Sequence, residues 1–168
     1  MPSLVKEPSL HVVDTLDDLD AVVCLIPADQ RPLPAGIGFL DWRLCGALSR
    51  ALDSGFFQGT PGEKLLVPSE GRIAPPMIFA LGLGAAGSVT ALGVEHALSA
   101  AVGMLEKAGA EHVALAIPPL PQLDGIGLGA VITRAFVGRW PHGRVVVLGD
   151  PTIEVRTRSS ESIPVRPG

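Results

Sequence analysis

Short apolar runs alternate along this chain with longer segments that carry apolar side chains at helical spacing. Six runs are rich in β-branched residues and are bounded by Gly, Pro or Asp, a pattern typical of buried strands. They occupy residues 10–13, 21–26, 64–68, 77–83, 112–117 and 144–149. Strands that alternate with helices, several of them apolar on both faces, predict a mainly parallel sheet covered by helices on both sides.

Three segments have helical periodicity instead. Leucine recurs every four residues from Leu40 to Leu52, which predicts one continuous helix there. A second predicted helix lies between Thr90, a suitable N-cap, and Gly109, a suitable C-terminal cap. The third begins after Asp124, again a residue type that caps helix N-termini.

The signals for strands and helices stop near residue 150. A length of 168 residues suits one domain. Residues 151–168 combine alternating charge with Ser and Pro and have little to bury. We therefore expect a folded domain over 1–150 and a flexible C-terminal tail over 151–168, mobile unless a partner orders it. Within the domain, the Pro- and Gly-rich residues 27–38 are predicted to form a long loop.

Composition and charge exclude several classes of protein. The chain is 47% hydrophobic and 18% charged, which indicates a compact fold rather than a disordered one. Its net charge is −4 and its 13 Lys and Arg are scattered, so we expect no nucleic-acid partner. The first residues contain no apolar leader region, which predicts a cytoplasmic protein.

The chain contains one stretch without charged residues that is long enough to span a membrane. Residues 73–94 carry no charge, but Pro75, Pro76 and four glycines predict a strand and a loop rather than a membrane span. We therefore expect no membrane partner.

Cys24 and Cys45 make no disulfide framework and are both expected to be buried, reduced thiols.

Gly82, Gly84 and Gly87 have the spacing G-x-G-x-x-G after a predicted strand. A dinucleotide fingerprint needs these glycines at the first strand-to-helix turn, with an acidic residue about 20 positions further on. Here the turn follows the fourth predicted strand, and the next strand ends in "AIPPLP" without a carboxylate. The glycines are therefore interpreted as a tight turn that closes a buried strand.

A second glycine cluster, Gly125, Gly127 and Gly129, lies between a predicted strand and a predicted helix. Free backbone amides at such a helix start can hold an anion, so a small phosphate-bearing ligand is an open alternative here. Asp124 would oppose an anion at this position. Its role as a helix cap is the favoured interpretation.

The remaining polar residues form no pattern that points to a metal, a cofactor or a catalytic group. The histidines at positions 11, 96, 112 and 142 lie in four different elements without metal-ligand spacing. The acidic residues between 14 and 20 are interpreted as a solvated turn. We therefore expect no cofactor and no metal.

Residues 40–68, followed by "PPMIFALGLG" and a helix, resemble the N-terminal domain of the leucyl aminopeptidase (cytosol aminopeptidase) family. In that domain a helix ending in G-x-F-x-G-x-x-G-E leads into a strand, and a later strand ends in G-L-G. The matching residues are Gly55, Phe57, Gly59, Gly62 and Glu63, then Gly82, Leu83 and Gly84. The resemblance covers about residues 8–150. It implies a macro-domain-like, three-layer α/β/α sandwich with a mixed, mainly parallel sheet of about six strands.

The resemblance also implies which part of the family's machinery is missing. The two-metal site of the family, with its "NTDAEGR"-type motif, belongs to a larger C-terminal domain, and the chain is expected to end where that domain would begin. No residue here inherits a catalytic role, so the resemblance argues against an enzyme.

The macro-domain likeness implies a rival function, the binding of ADP-ribose. In that pattern an Asp after the first strand holds adenine, and Asn residues in "DAIVNAAN" hold the distal ribose. Asp14 and the "DAVV" at 20–23 fit, but "CLIP" replaces the Asn positions and the chain contains no Asn. Each polar ligand group left unpaired costs about 1–3 kcal/mol, which argues against this ligand.

The sequence therefore predicts a non-catalytic binding or assembly module. Two alternatives stay open: a macro-like nucleotide or phosphate-ligand binder, and an accessory subunit of a separately encoded metallo-aminopeptidase. The apolar segments 32–42 and 116–123 would be exposed on a monomer, which predicts a homodimer or another protein partner. The candidate ligand contacts are Asp14, Gly82, Gly84, Gly125, Gly127 and Gly129.

Overall fold

The chain folds around one six-stranded sheet. A computed structural model describes residues 4–140 and 143–156. Its strands pair in the order β1-β6-β5-β2-β4-β3, and every pair is parallel except β3 with β4. The strands are β1 (Val5–Lys6), β2 (Ala21–Pro27), β3 (Lys64–Pro68), β4 (Met77–Gly84), β5 (Val113–Ala116) and β6 (Val145–Leu148). The predicted mixed, mainly parallel sheet of about six strands is confirmed.

Helices cover both faces of this sheet. The helices α1 (Leu10–Asp14), α2 (Ala35–Arg43) and α3 (Ala47–Asp53) pack on one face, and α4 (Ala91–Ala108) and α5 (Gly125–Ala135) pack on the other. Alternate residues of β2 supply the two cores: Val23 and Leu25 face α4 and α5, whereas Val22 and Cys24 face α1 to α3. The three-layer α/β/α sandwich is thus confirmed.

The predicted strand at residues 10–13 is wrong, because this segment is the helix α1. The hydroxyl of Ser9 accepts a 3.1 Å hydrogen bond from the backbone N–H of Val12 and caps the helix. The true first strand is β1, only two residues long, which pairs with the end of β6. The order of elements therefore differs from the prediction before residue 20.

The single helix predicted over residues 40–52 is in fact two helices, α2 and α3. Cys45 and Gly46 both have positive φ angles, 54° and 79°, which break the helix between them. The buried carboxylate of Asp41 accepts a 2.8 Å hydrogen bond from the backbone N–H of Leu48 in the first turn of α3. The leucine spacing continues across the break because both helices pack on the same core. The predicted loop over 27–38 is also too long, since α2 begins at Ala35.

The second predicted helix and the two predicted N-caps are confirmed. Thr90 accepts from the N–H of Gly93 at 3.1 Å, and Asp124 accepts from the N–H of Gly127 at 2.6 Å. Gly109 ends α4 with a φ of 69°.

The two cysteines differ in burial. Cys24 is buried as predicted, and desolvation raises the pKa of its thiol to about 12, with a smaller contribution from the charge of Asp41. The predicted burial of Cys45 is wrong: this thiol is exposed because it lies in the turn between α2 and α3.

The first residues of the predicted tail pack against α5. The side chain of Ile153 belongs to the core, and the backbone N–H of Arg156 donates a 3.1 Å hydrogen bond to the hydroxyl of Thr133. The packed structure therefore continues to Arg156, beyond the predicted boundary at 150, and the rest of the predicted tail, residues 157–168, lies outside the described residues. Across 4–140 and 143–156, no helix combines the length and apolarity that crossing a membrane requires.

Candidate functional site

The loops that follow the parallel strands meet at one edge of the sheet, here called the carboxyl edge. Central strand β2 leads into α2 on one face, whereas its neighbours β4 and β5 lead into α4 and α5 on the other face. In open α/β sheets, ligands bind in crevices at such changes of direction. The carboxyl edge is therefore the first place to look for a site.

Side chains bridge the crevice between β2 and β4. The carboxylate of Asp29 accepts a 2.8 Å hydrogen bond from the backbone N–H of Ala86. The amide of Gln122 donates to the carbonyl oxygen of Val89 at 3.1 Å and also to that of Ala86. These bonds tie together the loops after β2, β4 and β5.

A weaker bridge crosses the crevice between β2 and β5. The amide nitrogen of Gln30 donates a 3.3 Å hydrogen bond to the carbonyl oxygen of Pro119. The amide oxygen of Gln30 is buried and has no hydrogen-bond partner among the described residues. The centre of the carboxyl edge is thus occupied by the chain's own loops.

Gly82 and Gly84 let the loop over 58–63 cross the end of β4. Their backbone N–H groups donate to the carbonyl oxygens of Glu63 and Gly59 at 2.9 and 2.8 Å. A Cβ on Gly82 would collide with the carbonyl oxygen of Thr60, and Gly84 has a φ of 82°. Gly87 has open space around it and lies in a short 3₁₀ turn before α4. A dinucleotide fingerprint requires its third glycine to lie at the start of a helix, and Gly87 does not meet this requirement.

The glycines of α5 lie beneath the C-terminal segment. A Cβ on Gly125 would collide with the backbone of Thr152, and one on Gly129 would collide with the backbone of Glu154. The N–H of Gly127 is already bonded to Asp124. Of these three glycines, only Gly125 lines the cavity described below.

Asp14 lies at the end of α1 and not after the first strand. Its carboxylate forms a two-point ion pair with Arg43 of α2, with N–O distances of 2.8 and 2.7 Å. The structural position predicted for Asp14, directly after the first strand, belongs to Glu7 because that strand is β1. The predicted position of Asp14 is wrong because the prediction took the helix α1 for the first strand.

A cavity of about 410 Å³ lies at the carboxyl edge, between the ends of β5 and β6 and the start of α5. Its walls are aliphatic and proline side chains from the loops after both strands, together with Pro8 and Ala35. Its polar side chains are those of Glu7, Asp150 and Thr152. Sequence patterns miss this cavity because its walls come from segments far apart in the chain, and β1 is too short to produce a periodic signal.

The cavity carries negative charge. Asp150 accepts hydrogen bonds from the backbone N–H of Thr152 at 2.8 Å and from its hydroxyl at 2.7 Å. These two bonds hold the pKa of the Asp150 carboxyl below its usual range, so the group is ionised at neutral pH. Among the described residues, no Lys, Arg or His lines the cavity.

The histidines and acidic side chains of the described residues do not come together as a metal site. Within the described ranges, no three His, Cys, Asp or Glu side chains come together in a way that could hold a metal ion. His112 accepts a 3.0 Å hydrogen bond at Nδ1 from the backbone N–H of Arg144, and His11 and His96 lie in other elements. His142 lies outside the described residues.

Among the solved structures that share this fold are a leucine aminopeptidase, a macrodomain and a peptide maturation enzyme. Tomato leucine aminopeptidase (mutant K354E) has a TM-score of 0.62 at 17% identity, over 92% of this chain and 33% of that one. The macrodomain of Mycobacterium tuberculosis DarG has a TM-score of 0.66 at 14% identity, over 89% of this chain and 99% of that one. The bottromycin maturation enzyme BotP in complex with Mn has a TM-score of 0.51 at 22% identity, over 80% of this chain and 27% of that one.

These identities establish the fold alone, and this chain spans about a third of the tomato enzyme. No curated protein sequence matches the chain. The sequence profile of the cytosol aminopeptidase family, N-terminal domain, matches residues 22–132. This match covers well over half of the chain. The chain therefore belongs to the cytosol aminopeptidase family, of which it matches the N-terminal domain.

Proposed function

We propose that these 168 residues form a cytoplasmic, non-catalytic binding module whose ligand site is the cavity at the carboxyl edge. The observation that carries the proposal is the cavity itself, about 410 Å³ between the ends of β5 and β6. Ligand pockets typically have volumes of about 300–1,000 Å³, with apolar walls and a few polar groups that fix orientation. The cavity has both properties.

The non-catalytic part of the proposal is supported by the described residues, in which no three His, Cys, Asp or Glu side chains come together as a metal site. Metal-dependent peptide hydrolysis needs an ion to polarise the carbonyl group and activate water. We expect purified protein supplied with manganese or zinc to leave leucine anilide intact. Turnover that follows the protein through purification would contradict this part.

A macro-like nucleotide binder is less well supported. Asp29 and Ala86 bridge the crevice between β2 and β4, and the apolar "CLIP" at 24–27 offers ribose no side-chain amide. Calorimetry with ADP-ribose should therefore show no binding tighter than about millimolar, which is equivalent to about 4 kcal/mol. A micromolar affinity with defined stoichiometry would favour the nucleotide alternative.

The cavity proposal is tested by native mass spectrometry of the protein after incubation with a metabolite extract of its own cell. We expect a mass adduct on the wild-type chain. Leu123→Trp, which puts an indole on the cavity wall, should abolish the adduct. Leu92→Trp, at an exposed position on α4, is the matched control and should keep it. A wild-type chain without an adduct, or an adduct that survives Leu123→Trp, would overturn the proposal.

A second candidate function, assembly, is favoured by large apolar side chains on the surface. Trp42 is 72% exposed and Phe56 is 77% exposed. The rest of segment 32–42 is largely packed inward, with Leu33, Ile37 and Leu40 in the core. A surface that contains Trp42 suits a second copy of this chain or a separately encoded catalytic subunit.

A further inference from the structure

We infer that the ligand of the carboxyl-edge cavity is a small aliphatic molecule with a cationic primary amine. This inference rests on the proposed binding function and names the chemical class of its ligand. It follows from which hydrogen-bonding groups the cavity offers, which it lacks, and what its walls are made of.

The cavity offers carboxylates for a cation. Glu7 and Asp150 follow the adjacent parallel strands β1 and β6, and the N–H of Gly149 donates a 3.1 Å hydrogen bond to the carbonyl oxygen of Lys6. The two acidic residues therefore leave the sheet side by side. Neither carboxylate forms an ion pair with another described residue. An ammonium group placed here would gain charge-assisted hydrogen bonds.

The cavity offers an anion no cationic side chain among the described residues. The hydroxyl of Thr152 already donates to Asp150, and the N–H groups of Gly149 and Ile153 already donate to the carbonyl oxygens of Lys6 and Asp150. Five lining residues have no backbone N–H because they are prolines: Pro8, Pro118, Pro119, Pro121 and Pro151. A phosphate or carboxylate would be repelled by the carboxylates of Glu7 and Asp150 and would find no cationic side chain among the described residues to offset that repulsion.

The walls suit a hydrocarbon body rather than a nucleobase. Ile117, Leu120, Leu128 and Ile153 line the cavity and are buried aliphatic residues. No aromatic side chain in the described part of the chain lines it, so a planar base would find no ring there to stack on. Aliphatic walls with an acidic rim match a branched or linear alkylamine.

The probe is 3-methylbutylamine, compared with its neutral analogue 3-methylbutanol and with leucine, inorganic phosphate and ADP-ribose. Each is titrated at low ionic strength into the full ¹⁵N-labelled chain, and the amide signals of the non-proline residues in 117–125 and 149–153 are followed. We expect the amine to shift these signals and to bind at least about tenfold more tightly than the alcohol, the gain from one charged hydrogen bond. Leucine, phosphate and ADP-ribose should bind more weakly than the amine.

Matched variants test whether the carboxylates of Glu7 and Asp150 bind the amine. Glu7→Gln with Asp150→Asn should weaken amine binding about tenfold, and Asn at 150 keeps an acceptor for Thr152. Glu106→Gln removes an exposed carboxylate on α4 and should change nothing. If the double variant unfolds, Glu7→Gln alone, at an exposed residue, still tests the charge.

Equal affinity for amine and alcohol, or tighter binding of phosphate or ADP-ribose at these amides, would overturn the inference while leaving the cavity as a binding site. If no probe binds but the native adduct persists, the ligand class is wrong and the proposed function stands. If both are absent, the proposed function fails as well.

Discussion

The carboxylate of Asp29 accepts a 2.8 Å hydrogen bond from the backbone N–H of Ala86, 57 residues further along the chain. This bond joins the loop after β2 to the loop after β4. It occupies the crevice in which a sheet of this topology can hold a ligand. The proposed ligand cavity lies away from this bridge, toward the ends of β5 and β6.

Asp29→Ala should open that bridge. Loss of one hydrogen bond to a charged acceptor predicts a fall of about 1–3 kcal/mol in the free energy of unfolding, toward the lower end because Asp29 is exposed. Amide hydrogen exchange at Ala86 should become faster. Asp29→Asn keeps an acceptor oxygen and serves as the control. Equal exchange rates at Ala86 in the alanine variant and the wild type would show that the bridge does not hold the loops.

Much of the fold was predictable because its signals are local. Strand β2 is a run of seven buried residues that follows Asp20 and ends at Pro27, and α4 has a cap at each end, at Thr90 and Gly109. The bounds of both elements are determined by residues within or next to the elements themselves. The predicted order of elements after residue 60 is correct for the same reason.

The errors arise where tertiary contacts decide the structure. Residues 10–13 read as a strand because four largely apolar residues fit either element, and the helix start at Ser9 was the missed signal. The break at Cys45 and Gly46 is invisible in the leucine spacing, because α2 and α3 pack on one core. The cavity joins Glu7 to Asp150, and no local pattern links residues so far apart.

Gly82→Ala should destabilise the domain by about 1–3 kcal/mol, the usual cost of overpacking, or prevent folding. The added Cβ meets the carbonyl oxygen of Thr60. Gly87→Ala in the same motif has open space around it and should be neutral or slightly stabilising. Urea unfolding of both variants makes the comparison. Equal losses would contradict the interpretation that Gly82 permits a backbone crossing.

The stability of the domain should depend on the charge of Asp20. Hydrogen bonds from the backbone N–H groups of His112 and Glu111, both at 2.8 Å, hold the pKa of this carboxyl below its usual range. A lowered folded-state pKa gives stability that is present above the unfolded pKa, about 4, and is lost as the pH falls through the folded value.

Asp20→Asn, which keeps an acceptor oxygen, should therefore be less stable than the wild type at pH 7. The difference should shrink as the pH falls below about 4. Chemical unfolding at a series of pH values measures it. A difference that stays constant with pH would show that the Asp20 charge is not linked to folding.

The assembly candidate predicts that the protein is a dimer with twice the 17.4 kDa mass of one chain. Trp42→Ser should shift the equilibrium toward monomer without weakening the core, since Trp42 is mostly outside it. Leu92→Ser, on the opposite helical layer, is the control. A truncation to test the tail should end after Arg156, because Ile153 is part of the core.

Light scattering coupled to size exclusion, at several protein concentrations, measures these masses. A wild-type mass of one chain at every concentration would contradict the assembly candidate and leave the cavity proposal unaffected.

The most direct test of the binding function is hydrogen–deuterium exchange of the full chain, with and without a metabolite extract of its native cell. We expect slower exchange in the segments that line the cavity, residues 117–125 and 149–153, and no change around Trp42 or the Asp29–Ala86 bridge. Leu123→Trp should abolish this protection. Protection confined to the crevice between β2 and β4, or no protection in any of these segments, would contradict it.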